Sequence, residues 1–269
     1  MQGFDGRRKI VENPCLSICS LASGSRGNSV FVSGGTTSIL VDAGLSGIEL
    51  ERRMHARNLS LESLSALVVT HEHTDHVQAA GVLSRRYNIP LYINSKTHGA
   101  AAEKLGRVNA LTLFECGTSF CINDLTINPF SISHDAADPS GMTVELGGTR
   151  LGIATDLGIA TTLVKEHLQG CSLLYIEANH DPDMLIQGPY PWYLKQRVKS
   201  RIGHLSNQEA AALVAELKTD MLDHVILAHL SEQNNTPEKA FQTMSDALDS
   251  PHVKVEVARP DRPGNLIVL

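Results

Sequence analysis

The alternation of apolar runs and turn-forming residues along the chain predicts short strands interspersed with helices. Three strands open the chain around a turn at residues 22–28, and residues 45–57 then show helical periodicity. Strands are predicted over residues 16–21, 29–32, 38–41, 64–69, 91–93, several short stretches between 112 and 132 that include 127–132, and then 143–146, 150–155, 173–176, 225–228 and 266–269. Helices are predicted over residues 45–57, 77–87, a stretch ending near 105, 159–167 and 207–218. This order is typical of a mixed α/β fold.

Two helix starts have specific signals. Ser206 and Glu209 form a capping box, in which each side chain can bond the backbone N–H of the other residue. Thr236 precedes Pro237, and a proline at the first helical position favours a helix start.

Length and composition indicate one domain. The 269 residues are 42% hydrophobic, enough for one sizeable core, so we expect a single domain at residues 15–269 after a flexible tail at residues 1–14. The tail is basic, but no long apolar segment follows it, which argues against a signal peptide or membrane anchor. The five cysteines form no Cys-x-x-Cys pair and are expected to be reduced and half-buried. These features predict a cytoplasmic protein without membrane partners.

The net charge is −6 and the isoelectric point is near 6.0. This balance argues against a protein that coats nucleic acid with a generally basic surface. Any phosphate-binding surface must therefore be local.

Four side chains that can bind a metal lie within six residues, directly after the apolar run at residues 67–69. They are His71, His73, Asp75 and His76. A strand end would present His71 and His73 on one side, and a helix starting near Asp75 would place the other two around a second point. Nitrogen and carboxylate donors without thiolates suit zinc, manganese or iron. The alternative is a His-rich surface loop, but chance rarely produces this order after a buried strand.

Three further residues, His134, Asp156 and His229, each follow an apolar strand. Rigid strand ends are where a scaffold presents ligands. Taken singly, each could equally be a strand-end polar residue with satisfied hydrogen bonds. Together they predict partners that complete a metal site.

The motif at residues 71–76 resembles the His-x-His-x-Asp-His signature of the metallo-β-lactamase superfamily. The resemblance implies an α/β fold of the four-layer αβ/βα sandwich type, with two divalent metal ions at one sheet edge. The ligands it implies are His71, His73 and His134 for one metal, Asp75, His76 and His229 for the other, and Asp156 as the bridge. A metal-activated hydroxide would then attack the substrate, with Asp75 counted among the catalytic residues.

Glu177 and His204 suggest phosphodiester chemistry. His204 lies just before the capped helix and could donate a proton to a leaving oxygen, and Glu177 at a strand end could orient it. The helix N-terminus could hold a phosphate.

The segments at residues 23–29, 177–181, 188–191 and 203–207 resemble the YycJ/WalJ-like group of metal-dependent exonucleases, related to the tRNase Z phosphodiesterases. The resemblance spans about residues 16–235. One departure from tRNase Z is Gly-His-Leu-Ser at residues 203–206, where those enzymes have Gly-His-Ser.

The spacing between ligands leaves no room for two insertions that occur elsewhere in the superfamily. Only 22 positions separate His134 from Asp156, which leaves no room for the tRNA-gripping arm of many tRNase Z enzymes. Only 73 separate Asp156 from His229, too few for the extra domain of β-CASP nucleases. A compact, uninserted enzyme is expected.

A basic segment at residues 190–201 carries four cations and the only tryptophan. It could line a nucleic-acid path by phosphate contact and base stacking. Equally, it could be an amphipathic helix that packs Trp192 and Leu194 inward. The residues predicted to bind substrate are Lys195, Lys199, Arg201, His180, Ser25 and Asn28, of which His180 could instead cap a turn.

The expected function is hydrolysis of nucleic acid, DNA in preference to RNA, by an exonuclease with two zinc or manganese ions and His204 as general acid. The alternative is a small-molecule metallo-hydrolase acting on a cyclic nucleotide, thioester or lactam. A metal-holding regulatory protein would not need the complete set of seven ligands. Metal identity, polarity of digestion and oligomeric state are left open, with a homodimer among the options.

Overall fold

The computed structural model describes residues 15–269, so the predicted tail at residues 1–14 lies outside the described part. Two seven-stranded sheets form the centre. The first sheet has the strand order β14-β1-β2-β3-β4-β5-β6. Its strands are β1 (Leu16–Ala22), β2 (Ser29–Gly34), β3 (Thr37–Val41), β4 (Ala66–Val68), β5 (Leu91–Asn94), β6 (Leu111–Phe114) and β14 (Ile267–Val268).

The second sheet has the order β13-β12-β11-β10-β9-β8-β7. Its strands are β7 (Phe120–Ile122), β8 (Leu125–Ser131), β9 (Ser140–Leu146), β10 (Thr149–Ala154), β11 (Leu173–Glu177), β12 (His224–Ala228) and β13 (Lys254–Val257). In each sheet one part is antiparallel and the other parallel: β3 to β6 run parallel, as do β10 to β13.

The helices cover the outer faces of both sheets. They are α1 (Gly47–His55), α2 (Thr74–Val77), α3 (Ala80–Tyr87), α4 (Ser95–Leu105), α5 (Thr162–Leu168), α6 (Pro182–Gln187), α7 (Trp192–Val198), α8 (Asn207–Leu217) and α9 (Pro237–Leu248). One apolar core lies between the sheets and two more lie between a sheet and its helices. The four layers give the α/β sandwich that the sequence predicts.

Local signals explain several element boundaries. The predicted capping box is present, since the Ser206 hydroxyl accepts from the Glu209 N–H and Glu209 accepts from the Ser206 N–H. Helix α9 starts at Pro237 after the Thr236 cap, as predicted. The predicted helix at residues 77–87 is wrong in its first turn. The Ala79 N–H donates to the Ala43 carbonyl at 2.8 Å, which separates α2 from α3.

Two elements have no counterpart in the prediction. Helix α6 is short, and β13 is an edge strand without a strong apolar run, so neither has a clear pattern. Cys19 and Cys171 are buried and Cys15 and Cys121 are exposed, so the half-buried environment predicted for all five cysteines holds only for Cys116. Among residues 15–269, no helix is both long enough and apolar enough to span a bilayer.

Candidate metal centre

The predicted ligands converge where strands of both sheets end. The parallel pair β3 and β4 delivers Asp42 and the 70–76 segment, and the parallel strands β10, β11 and β12 deliver Asp156, Glu177 and His229. Carboxyl ends of parallel strands meet at one sheet edge, so residues far apart in sequence become neighbours there.

Among the described residues, four overlapping groups of potential ligand atoms each lie within 4.8 Å of one another. Two of them correspond to the predicted ligand sets, His71, His73 and His134 in the first, and Asp75, His76 and His229 in the second. The other two contain Asp156, one with His71 and His76 and one with Glu177, His204 and His229. In the first group, Nε2 of His71 lies 3.2 Å from Nδ1 of His73, and the His134 ring centroid is 5.2 Å from that of His71. In the second, Oδ2 of Asp75 lies 3.7 Å from Nε2 of His76 and 3.8 Å from Nε2 of His229.

Asp156 lies between the two groups. Its Oδ2 is 3.2 Å from Nε2 of His76, and its Oδ1 is 3.4 Å from Nε2 of His229 and 3.7 Å from Nε2 of His134. A single carboxylate therefore faces members of both groups.

The unpaired atoms of this cluster fit divalent cations. His134 Nε2, Asp156 Oδ2 and His229 Nε2 are buried and have no hydrogen-bond partner among residues 15–269. Leaving buried polar atoms unpaired costs about 1–3 kcal/mol each. Imidazole and carboxylate donors without thiolates are a set that zinc and manganese accept. The residues present therefore suit divalent metal binding.

Electrostatics supports the same conclusion. Burial alone would lower the pKa of His76, but the Asp156 and Asp42 carboxylates raise it to about 10. Burial is likewise overcome at His229, where Asp156 raises the pKa well above its usual value. At His71, burial lowers the pKa and the neighbouring His76 lowers it further, and together they outweigh the effect of Asp156. The pKa is therefore well below its usual value and the imidazole is neutral. The buried carboxylates thus attract positive charge, and His71 is in the form that ligates a metal.

Asp42 supports this cluster and was missed by the sequence prediction. Its Oδ2 accepts a hydrogen bond from Nδ1 of His76 at 2.7 Å, and its Oδ1 accepts from the Thr70 N–H at 2.8 Å. The Thr70 hydroxyl also donates to Oδ2 at 2.8 Å. Such contacts orient metal ligands and fix their tautomers. The signal was available, because Asp42 follows an apolar strand just as Asp156 does.

Asn28, predicted to bind substrate, lies among the ligands and is only 5% exposed. Its N–H donates to the Asp75 carbonyl at 2.8 Å, and Nδ2 is 3.0 Å from Nε2 of His76. Gly44 also packs against the Asp75 carbonyl, and only a residue without a Cβ fits there, since a Cβ would lie 1.6 Å from the carbonyl oxygen. Ser25, from the same turn, is exposed and lines the cleft described below.

Three non-glycine residues at the cluster have left-handed backbone. The φ angles are +61° at Asp42, +59° at Asp156 and +54° at His229. This conformation costs of order 1 kcal/mol or more and persists only where surroundings impose it. Here the Asp42 N–H donates to the Val68 carbonyl at 2.8 Å, and the His229 N–H donates to Oγ of Ser23 at 2.7 Å.

Glu177 joins two histidines. Its Oε1 lies 2.8 Å from Nδ1 of His204 and 3.0 Å from Nδ1 of His229, while Oε2 accepts from the Leu157 and Leu205 N–H groups. Burial opposes ionisation, yet His204 above all lowers the pKa of Glu177 to about 2. The side chain is fully buried, so Glu177, predicted as catalytic, positions His204 and His229 and has no surface for substrate.

The position of His204 depends on a close backbone approach. A Cβ on Gly203 would come 2.2 Å from the carbonyl oxygens of Arg197 and Val198. The His204 N–H donates to the Val198 carbonyl at 2.9 Å. This packing holds His204 beside His134, with ring centroids 5.3 Å apart.

His180 stands apart from both ligand groups. It is 2% exposed, Nδ1 has no partner among the described residues, and burial above all lowers its pKa to about 4. Its carbonyl accepts from the Asn207 N–H at 2.9 Å, at the start of α8. The structure therefore places His180 under the α8 N-terminus and gives it no open surface for substrate.

A cleft of about 180 Å³ opens beside the cluster. Its lining includes Ser25, Asp135, Tyr190, Leu194, Arg197 and the two histidines His204 and His229.

The predicted cations Lys195, Lys199 and Arg201 do not line this cleft. Lys195 Nζ donates to the Ile186 carbonyl at 2.5 Å, and Lys199 and Arg201 are exposed nearby. Arg197, which lines the cleft, pairs with Asp135.

Trp192 is 69% exposed and Tyr193 is 76% exposed. The interpretation in which Trp192 packs inward is therefore wrong.

Comparisons with known proteins agree with this geometry. Residues 37–230 match the Beta-lactamase superfamily domain. Exodeoxyribonuclease YycJ of Bacillus anthracis is 38% identical over 236 residues, 87% of this chain and 89% of that protein. Exodeoxyribonuclease WalJ of Streptococcus pneumoniae serotype 2 is 37% identical over 232 residues, 85% of this chain and 86% of that protein.

Solved structures show the same fold. The metallo-beta-lactamase fold protein YhfI from Bacillus subtilis has a TM-score of 0.76 at 16% identity, covering 96% of this chain and 100% of that chain. Human tRNase Z, short form, has a TM-score of 0.66 at 14% identity, covering 94% and 98%. The chain belongs to the beta-lactamase superfamily and, within it, to the group that contains YycJ and WalJ.

Proposed function

We propose that this protein is a two-metal phosphodiesterase that hydrolyses DNA from an end. The observation that carries the proposal is the His204–Glu177 pair, with His204 in the lining of the cleft. A general acid beside a metal cluster can protonate an alkoxide leaving group. The relatives named exodeoxyribonuclease support DNA in preference to RNA.

Two divalent cations, zinc or manganese, are part of the proposal. The first would be held by His71, His73 and His134, the second by Asp75, His76 and His229, with Asp156 shared between them. When bound, such cations acidify water and neutralise the charge that builds on phosphate oxygens.

The chain's own residues handle the leaving group. Nδ1 of His204 donates to Glu177 at 2.8 Å, which leaves Nε2 as the ring atom available to substrate. Burial lowers the pKa of His204, but the Glu177 carboxylate more than offsets this and raises it, which favours the protonated ring. His204 is thus suited to protonate the departing oxygen from Nε2.

The rim of the cleft suits a nucleic-acid end. Trp192 and Tyr193 are exposed on α7, whose residues Leu194 and Arg197 line the cleft. Exposed aromatic rings stack on bases of any sequence, and cations such as Lys199 and Arg201 contact phosphates. We propose this rim as the path of the DNA strand near the metals, with the Ser25 hydroxyl, which also lines the cleft, as a further contact.

The test is an activity comparison on one protein preparation. The protein is stripped of metal, reloaded with zinc or manganese, and offered end-labelled double-stranded DNA, single-stranded DNA, RNA and bis-p-nitrophenyl phosphate. We expect DNA to be shortened from its ends, with closed circular DNA resistant. Cleavage of the small ester alone would favour a small-molecule hydrolase, and faster digestion of RNA would contradict the DNA preference.

A further inference from the structure

A second group of cations lies away from the metal cluster, at the connection from β13 to β14. Arg57, Arg259 and Arg262 line a polar cavity of about 350 Å³, together with Glu256 as its one carboxylate. Among residues 15–269, neither Arg259 nor Arg262 pairs with a carboxylate within 4.0 Å. In a chain with a net charge of −6, three arginines around one cavity form a local concentration of positive charge.

Backbone contacts hold this cavity in shape. Nη2 of Arg57 donates to the Pro263 carbonyl at 2.8 Å, and the Gly264 N–H donates to the Ser20 carbonyl at 2.8 Å. Pro260 and Pro263 fix φ at two positions of the same loop. The arginines thus project from a pinned loop, which lowers the conformational entropy lost when a ligand binds.

Shared lining residues place this cavity near the cleft. The cleft shares Leu230 and Ser231 with an intermediate cavity of about 300 Å³, and that cavity shares Arg259 with the arginine pocket. The intermediate cavity is also lined by Arg26, Glu232 and Asp261, and Arg26 pairs with Glu232 at 2.6 Å. Counted once each, four arginines face three carboxylates along the two cavities, and at the arginine pocket Arg57, Arg259 and Arg262 face Glu256 alone.

We propose that the pocket formed by Arg57, Arg259 and Arg262 binds a phosphate of the DNA strand several nucleotides from the scissile bond. This inference rests on the proposed function, because it requires a DNA strand that leaves the cleft past Leu230 and Ser231 and reaches the pocket. The pocket recognises the phosphodiester alone, without base contacts, so its effect is independent of sequence and depends on salt.

The test is an Arg259→Ala, Arg262→Ala variant, with Arg57 kept because it supports the loop. Metal-reloaded enzyme is assayed on single-stranded DNA of about 4 and about 20 nucleotides and on bis-p-nitrophenyl phosphate. Affinity of metal-free protein for the longer DNA is measured by fluorescence anisotropy over a salt series. We expect about tenfold weaker binding of the longer DNA and a salt slope shallower by about 0.7 to 1. The loss of kcat/KM should be far larger on the longer DNA than on the ester.

The matched control is Arg107→Ala, Lys165→Ala, which removes the same charge. Arg107 precedes β6, at the sheet edge opposite β14, and Lys165 lies on α5. This control should bind and cleave like the parent protein.

Three results would overturn the proposal. The first is equal affinity and equal salt slope for the arginine variant and its control on the longer DNA. The second is equal loss on short and long DNA. The third is binding of the free anion only. In that case inorganic phosphate raises the Tm of the parent protein but not of the arginine variant, while the two proteins bind DNA with equal affinity. If the parent protein cleaves the ester but no DNA, the proposed function is wrong. The DNA affinity measured by anisotropy then tests the pocket independently of activity.

Discussion

Asp42 accepts a hydrogen bond from His76, with Oδ2 of the carboxylate 2.7 Å from Nδ1 of the imidazole. The contact leaves Nε2 of His76 directed at the ligand cluster, 3.2 Å from Oδ2 of Asp156. Asp42 also accepts from the Thr70 N–H and hydroxyl, so one carboxylate fixes both a ligand and the start of the ligand loop. It links β3 to the segment that follows β4.

Replacing this carboxylate should weaken metal binding. In Asp42→Asn the amide keeps the shape but loses the charge that orients His76, and we expect metal affinity to fall about 10- to 100-fold. Competition with a chelator measures it. The matched control is Asp124→Asn, because Asp124 accepts from the Thr36 N–H and hydroxyl in the same way. Unchanged metal affinity in Asp42→Asn, with the fold intact, would contradict this role.

Glu177→Gln should reduce both metal affinity and turnover. Glu177 Oε1 contacts His229, a proposed ligand, and His204, the proposed acid, so one substitution disturbs two functions. We expect kcat to fall about 100-fold or more, and metal affinity to fall as well. Combined with His204→Ala, the loss in kcat should be less than additive, since Glu177 acts partly through His204. Fully additive losses would show that the two residues act independently.

The sequence predicted ligands that follow a recognisable strand, and it missed relations that depend on strand register. His134, Asp156 and His229 were expected because each follows an apolar run. Asp42 follows one too, but the sequence prediction gave it no role. The contact between Glu177 and His229 arises because β11 pairs with β12 with Glu177 opposite Ala228. No local pattern specifies that register.

The basic segment shows a second limit. Helical periodicity allowed Trp192 to pack inward, but α7 has only seven residues and buries Val198 instead. Which face of so short a helix is buried depends on its neighbours. Here Gly203 packs closely against the carbonyl groups of Arg197 and Val198 at the end of α7. Arg57, Arg259 and Arg262 have no common motif, because the loop that gathers them is defined by tertiary hydrogen bonds.

His204→Ala should discriminate between substrates by their leaving groups. A nucleotide leaves as a basic alkoxide that needs a proton, whereas p-nitrophenolate is a weak base that leaves without one. We expect kcat on DNA to fall about 100- to 10,000-fold and kcat on bis-p-nitrophenyl phosphate to fall far less. Steady-state rates on both substrates at equal metal loading measure it. Equal losses on the two substrates would remove His204 from the role of general acid.

The exposed aromatic pair should contribute to DNA binding and little to stability. Trp192→Ala and Tyr193→Ala are each expected to weaken single-stranded DNA binding by about 1–3 kcal/mol per stacked base, with Tm nearly unchanged. Fluorescence anisotropy and thermal unfolding measure the two quantities. Phe241→Ala on α9 is the control, an aromatic residue 43% exposed and outside the cleft lining. Equal affinities in all three variants would contradict stacking at this rim.

Metal removal should destabilise the fold, and single-ligand variants should count the sites. Each cation that binds only the folded state stabilises it by about 2.7 kcal/mol at a hundredfold excess over Kd, so chelation of two should lower Tm by about 10–20 °C. The parent protein is expected to hold two metal ions per chain by elemental analysis. His73→Ala removes a donor from one group and Asp75→Ala from the other, so each should retain about one ion per chain. His204→Ala, outside both groups, should keep two ions and the full Tm shift. A parent protein with one ion per chain, or a variant of either group with unchanged stoichiometry, would contradict the two-metal assignment, because the two groups have no residue in common and Asp156 lies near members of both.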